Sequence, residues 1–188
     1  MRSRRIIITG FMGSGKTAVA RALARILNYQ TLDLDEVITQ LEQRGPKEII
    51  ETDGEPAFRE IETQTLSKVL KEVLETDAAH VIALGGGTWT LERNREIIRK
   101  HRCHTVWLDV PFDLCWKRIL ASGDERPLAR NESEARNLYQ ERRDSYRRAV
   151  LHVAATEKRS ADHIAEEIAQ ALSIRETESR KNEKQASE

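Results

Sequence analysis

Aromatic residues are scarce, with three Trp, three Tyr and three Phe in 188 residues, and only two cysteines, Cys103 and Cys115, are present. Two cysteines form no disulfide framework, and neither they nor the five scattered histidines fall at metal-ligand spacing. Net charge is also missing. The 31 Lys and Arg offset the 31 Asp and Glu, so no global field recruits nucleic acid or an anionic membrane surface. No apolar run has the length of a membrane span, and Ile6–Thr9, after a few basic residues, is too short for a secretory signal. The expectation is a monomeric, cytoplasmic protein with small-molecule partners, no nucleic acid and no membrane.

What is present is an alternation of short β-branched runs with helical periodicities. Strands are expected at Ile6–Thr9, Thr31–Asp33, His80–Leu84, His104–Asp109 and, more weakly, Leu151–Ala155. Helices are expected over Thr17–Leu27, Glu36–Gln43, Ala57–Leu74, Leu91–Lys100, Pro111–Leu120, Glu132–Val150 and Ala161–Leu172. This order implies an α/β three-layer sandwich, with a parallel sheet covered by helices on both faces. Ligands in such folds bind beyond the carboxyl ends of the strands, where Gly10, Asp33, Gly85 and Asp109 all fall. One domain is expected over residues 1–174, with a polar, Arg-rich lid at about 122–135. Residues 175–188 are charged and nearly devoid of apolar side chains, so a disordered tail is expected there.

Between the first strand and first helix stands Gly10-Phe11-Met12-Gly13-Ser14-Gly15-Lys16-Thr17, which satisfies G-x-x-x-x-G-K-[ST]. The glycines let successive N–H groups point at phosphate oxygens, and the helix N-terminus adds partial positive charge. Gly13, Ser14, Gly15, Lys16, Thr17 and Ala18 are therefore the candidate nucleotide-phosphate residues. Lys16 is placed to reach the β- and γ-phosphates, and the Thr17 hydroxyl to ligate Mg²⁺. No guanine-reading Asn-Lys-x-Asp segment occurs, so the chain reads as a small ATP-dependent kinase rather than a GTPase.

Asp33 and Asp35 follow the second strand, and on extended chain their side chains would point the same way. One would hold metal-bound water and the other orient an acceptor hydroxyl; alternatively, one simply caps the next helix. Arg59 opens a long helix, where it either pairs with Glu62 or Thr63 in solvent or serves a ligand. Gly85-Gly86-Gly87 directly after a strand marks close backbone approach, to a ligand or within a turn. From Arg126 to Arg148 there are seven Arg, no Lys and four acids, a cationic stretch suited to an anionic transfer site. Its outer arginines, Arg147 or Arg148, are equally well explained as a solvated helix face.

Together these residues resemble the shikimate kinase family, of the P-loop nucleoside-monophosphate-kinase-like fold. The resemblance rests on the phosphate loop, Asp33-x-Asp35, D-G-E-x-x-F-R-x-x-E from Asp53 to Glu62, Gly85–Gly87, Arg126-Pro127-Leu128, and Arg142 four residues before Tyr146. It implies a five-stranded parallel sheet with a mobile lid, and transfer of the ATP γ-phosphoryl to the 3-hydroxyl of shikimate, in aromatic amino acid biosynthesis. It further implies Asp35 as hydroxyl-binding base, Arg59 and Arg142 as a carboxylate clamp, and Gly85, Gly86 and Gly87 as donors of N–H groups. Lys16 and Arg126, the latter on the lid, would neutralise the transferring phosphoryl group. Asp33 would support Mg²⁺ and Arg118 would stack on adenine. Two departures stand out: Ile50 where the family often has an aromatic, and Ala155-Thr156 where Asp-Thr is common. A kinase for a related hydroxy acid such as an aminoshikimate, or a non-catalytic nucleotide-binding homologue, is the alternative.

Overall fold

The computed structural model describes residues 5–185 except 77 and 124–126, with side chains described as far as residue 173. Five parallel strands, β1 (Arg5–Thr9), β2 (Gln30–Asp33), β3 (His80–Ala83), β4 (His104–Asp109) and β5 (Leu151–Ala154), form one sheet in the order β2-β3-β1-β4-β5. Ile6, Ile7 and Ile8 of β1 are buried on both faces, as a central parallel strand requires. The strands at the two edges carry the exposed and polar positions.

Helices cover both faces, giving the three-layer arrangement expected from sequence. Helix α1 (Lys16–Leu27) packs on α8 (Ala161–Gln185), while α4 (Glu55–Glu75) packs on α2 (Leu34–Glu42), α3 (Pro46–Asp53) and α5 (Glu92–Lys100). Helices α6 (Phe112–Ser122) and α7 (Glu132–Tyr146) contact each other beside β4. Register sets the functional edge: Thr9 pairs with Trp107 and Asp33 with Ala83, so the strand ends that precede each candidate motif lie side by side.

Several boundaries differ from the sequence reading, each for a local reason. Helix α2 begins at Leu34 because Asp33 caps it, its side chain accepting from Asp35 N at 3.0 Å. Asp35 therefore sits in the first turn of a helix, and the extended-chain picture of two parallel carboxylates is wrong. Helix α3 was not foreseen; it is eight residues long, buries only Ile49, and has no capping side chain. Its signal is Pro46 at the first turn. Helix α7 ends at Tyr146 rather than Val150, since Val150 N already donates to Thr105 Oγ1 at 2.9 Å to start β5. The long helix buries Leu66 and leaves Leu74, near its end, half exposed. The charged tail expected to be disordered continues α8 as far as Gln185, consistent with its Glu, Lys and Arg content, residues of high helix propensity.

Ile7 is fully buried at the centre of this sheet. Ile7→Ala should lower unfolding free energy by about 3 kcal/mol, read as a shift in urea midpoint with unchanged slope.

Candidate active site

The donor side is built by a turn only glycine can make. Gly13 has φ 72° and Gly15 φ 89°, and a Cβ on Gly13 would lie 2.6 Å from Cys115 O. The loop is thus pressed onto α6 with no room for a side chain. Lys16 Nζ donates to Phe11 O at 2.9 Å, folding over the loop it must serve. Phe11 is itself buried and meets Tyr139 edge-on at 5.2 Å, which fixes the loop's first half. Arg118 reaches the loop from α6, donating to Ser14 O at 3.3 Å and Gly13 O at 3.4 Å. Thr17 Oγ1 donates to Asp33 Oδ2 at 2.6 Å. Ala18 is exposed in the first turn of α1.

That Thr17–Asp33 pair is the test of fit for Mg²⁺. A hydroxyl oxygen and a carboxylate beside a phosphate loop are hard oxygen donors of the kind the ion takes, with phosphates and water completing the shell. No group of three or more His, Cys, Asp or Glu that could hold a metal occurs among the described residues. An ion here depends on the nucleotide.

The acceptor side is a cavity lined by Met12, Asp35, Pro46, Lys47, Ile50, Phe58, Arg59, Glu62, Gly85, Gly86, Gly87, Pro127, Leu128 and Arg142. The six expected acceptor residues come from four separate chain segments, and all six line this cavity. Arg59 is mostly buried, and its guanidinium donates to Glu62 Oε2 at 2.8 Å and to Glu55 Oε1 at 2.9 Å. Burial pulls its pKa down, but Glu62 and Glu55 outweigh burial and raise it, so the charge is secure. Glu62 is fully buried and also accepts from Thr88 Oγ1 at 2.6 Å. Arg142 is buried on α7, near the phenol of Tyr146. Burial pushes that phenol up to about 12 against the opposing pull of Arg142, and its hydroxyl donates to Gly86 O.

The three glycines are required by space rather than by φ, because none adopts a left-handed conformation. A Cβ on Gly85 would sit 2.7 Å from Asp35 Oδ1 and 3.0 Å from Glu62 Oε1. On Gly87 it would lie 2.5 Å from Arg59 Nη1 and 2.6 Å from Arg59 Cζ. The backbone of this turn lies directly on Asp35, Glu62 and Arg59.

Arg126 lies outside the described residues; Pro127 and Leu128, next in the lid, reach the cavity wall. Ile50 forms the aliphatic wall anticipated from sequence, opposite no aromatic but Phe58. Lys47 was missed with its helix. Arg143 was missed too: it grips Asp109 through both nitrogens at 3.0 and 3.1 Å, contacts Tyr139 Oη at 2.6 Å and lies 5.1 Å over Trp107. No motif signals such a pair, since its partners are thirty-four residues apart. Trp89 and Trp107 are buried, and Trp116 stacks on Phe112, so all three pack against the protein's own side chains. Ala155 N donates to Asp109 O at 3.0 Å, and Arg159 is held by Ala154 O and Glu167.

With this geometry in place, comparison with known proteins is informative. The family model for shikimate kinase matches residues 12–173. A shikimate kinase of Cereibacter sphaeroides is 38% identical over 173 residues, covering 90% of this chain and 83% of the relative. Among solved structures, a shikimate kinase from Acinetobacter baumannii in complex with shikimate superposes with a TM-score of 0.79 at 32% identity, covering 91% of this chain and 93% of that one. A shikimate kinase from Bacteroides thetaiotaomicron gives 0.77 at 29% identity, covering 90% and 98%.

Because Gly87 abuts the Arg59 guanidinium, Gly87→Ala must push that side chain aside. Its expected effect is a rise in acceptor KM of roughly tenfold to a hundredfold, with nucleotide KM within about twofold of wild type, measured by steady-state kinetics.

Proposed function

The chain belongs to the shikimate kinase family, and from that premise we propose how its residues divide the transfer of the ATP γ-phosphoryl group to the 3-hydroxyl of shikimate. One observation carries the reading: Asp35, Arg59, Arg142 and the glycine turn line a single cavity that also touches Met12 of the phosphate loop. An acceptor held there stands next to the donor phosphates, and phosphoryl transfer asks little more of a protein than positioning and charge neutralisation.

Arg59 and Arg142 clamp the acceptor carboxylate. In the present geometry Arg59 spends its donors on Glu55 and Glu62. Glu55 is 44% exposed in its side chain and Glu62 only 1%, so an incoming carboxylate replaces Glu55 and leaves Glu62 in place as the support. Asp35 orients the accepting hydroxyl and takes its proton late in the transfer. Lys16 leaves Phe11 O for the β- and γ-phosphates, and Arg118 supports the loop from outside; its contact with adenine belongs to this reading as well. Thr17 and Asp33 would hold Mg²⁺, which when bound would neutralise phosphate charge. Arg126 is assigned the lid cation on sequence order alone. Pro127 and Leu128 shield the acceptor from water, which would otherwise compete for the phosphoryl group. The protein works as a monomer in the cytoplasm in this reading; among the described residues no helix is long and apolar enough to cross a membrane.

A coupled assay of ADP release, run with and without shikimate, tests the activity directly. Shikimate-dependent ADP release is expected, and release independent of shikimate would overturn the acceptor assignment. Asp35→Asn should keep nucleotide binding and lose turnover by a factor on the order of a hundred or more; near-normal kcat would remove Asp35 from the base role. Arg59→Lys should raise shikimate KM roughly tenfold or more through loss of the planar fork, and an unchanged KM would count against the clamp.

A further inference from the structure

A second cavity, larger than the acceptor cleft, lies away from it between α5, the first residues of β4 and the turn from α7 into β5. Its volume is about 310 Å³, enough for a small organic ligand. Its apolar lining includes the buried Trp89 and Ile98 and the half-exposed Val150. Its polar lining is weighted toward positive charge, with Arg95, Arg99 and Arg148 facing Glu92 and Glu96. Arg95 is tied to Glu92 and to Trp89 O and Thr90 O, at 2.7 Å each. Among the described residues no ion pair or side-chain hydrogen bond engages the guanidinium of Arg99 or Arg148. Both are close enough to Glu92 to help hold its carboxyl below the usual range, after the larger effect of Arg95. Arg95 is turned inward onto those partners, so Arg99 and Arg148 are the exposed cations of the lining.

We propose that this cavity is a second binding site, for a small ring carboxylate whose ring lies against Trp89, Ile98 and Val150 and whose carboxylate is held by Arg99 and Arg148. A flat apolar wall beside arginines suits a planar body with one anionic group, because guanidinium matches carboxylate as a bidentate partner. An inorganic anion would leave the apolar wall uncovered, and a neutral ring would leave the arginines unused. The site is distinct from the acceptor clamp, since none of the residues lining it lines that cleft. It nonetheless backs onto the same turn: Trp89 follows Gly87 by two residues, and its indole N–H donates to Ser145 O at 2.8 Å, beside Tyr146.

The indole of Trp89 gives the readout. Sodium benzoate, which has no hydroxyl to phosphorylate, is titrated into the isotopically labelled full chain while the three tryptophan indole N–H resonances are followed. The Trp89 resonance, assigned with Trp89→Phe, should move saturably with a Kd near or below about 1 mM, and the same titration in excess shikimate should give the same Kd. Arg99→Ala with Arg148→Ala, both exposed residues outside the transfer site, should weaken benzoate at least about tenfold while leaving shikimate-dependent ADP release unchanged. Absence of saturable binding, competition by shikimate, or full affinity in the double variant would each overturn the proposal. The titration needs no turnover, so its failure is separable from failure of the kinase reading.

Discussion

Both oxygens of the Asp33 carboxylate are committed, one to each half of the reaction. Oδ2 accepts from the Thr17 hydroxyl in the first turn after the phosphate loop, and Oδ1 accepts from the backbone N–H of Asp35. The first bond fixes the turn after the phosphate loop and the second fixes the helix turn that carries Asp35, proposed above as the base. A side chain on an edge strand thus ties the start of α1 to the start of α2. A carboxylate is the side chain that can do both, accepting twice through oxygens a fixed distance apart while favouring the positive end of α2.

A second tie lies below the acceptor. Glu62 is buried, and a buried carboxylate is tolerable only when its oxygens are satisfied, here by the Arg59 guanidinium and the Thr88 hydroxyl. Thr88 directly follows the three glycines, so the buried acid joins α4 to the glycine turn while holding the clamp arginine in place. The glycines follow from this contact: with Arg59, Asp35 and Glu62 pressed against the backbone, no Cβ has space. Stability and binding draw on the same atoms, so substitutions here should rarely separate the two.

Much of this was legible from the sequence because it is local. The β-branched run Ile6–Ile8, the phosphate loop between strand and helix, and the triple glycine each declare themselves within a few residues. Asp33 was legible with two readings, a shared carboxylate face or a cap of the next helix, and the structure gives the cap, because the helix starts at Leu34, two residues before the expected Glu36. Helix α3 and its Lys47 escaped because eight residues with one buried side chain carry almost no periodicity. Pairs such as Arg143 with Asp109 escape for a different reason, since only the folded chain brings them together. The glycine turn shows the limit most clearly: its composition announced close approach, and only the structure says that the approaching groups are the protein's own carboxylates and guanidinium.

Arg142 and Arg143 are neighbours on α7, and successive side chains on a helix diverge by about 100°. One enters the acceptor cavity while the other is bound through two nitrogens to Asp109 at the end of β4. Rolling the helix about its own axis would break the second contact before it moved the first by a useful amount. The Asp109 pair therefore works as a detent against rotation of α7, and the aim of Arg142 is kept by a bond it does not make.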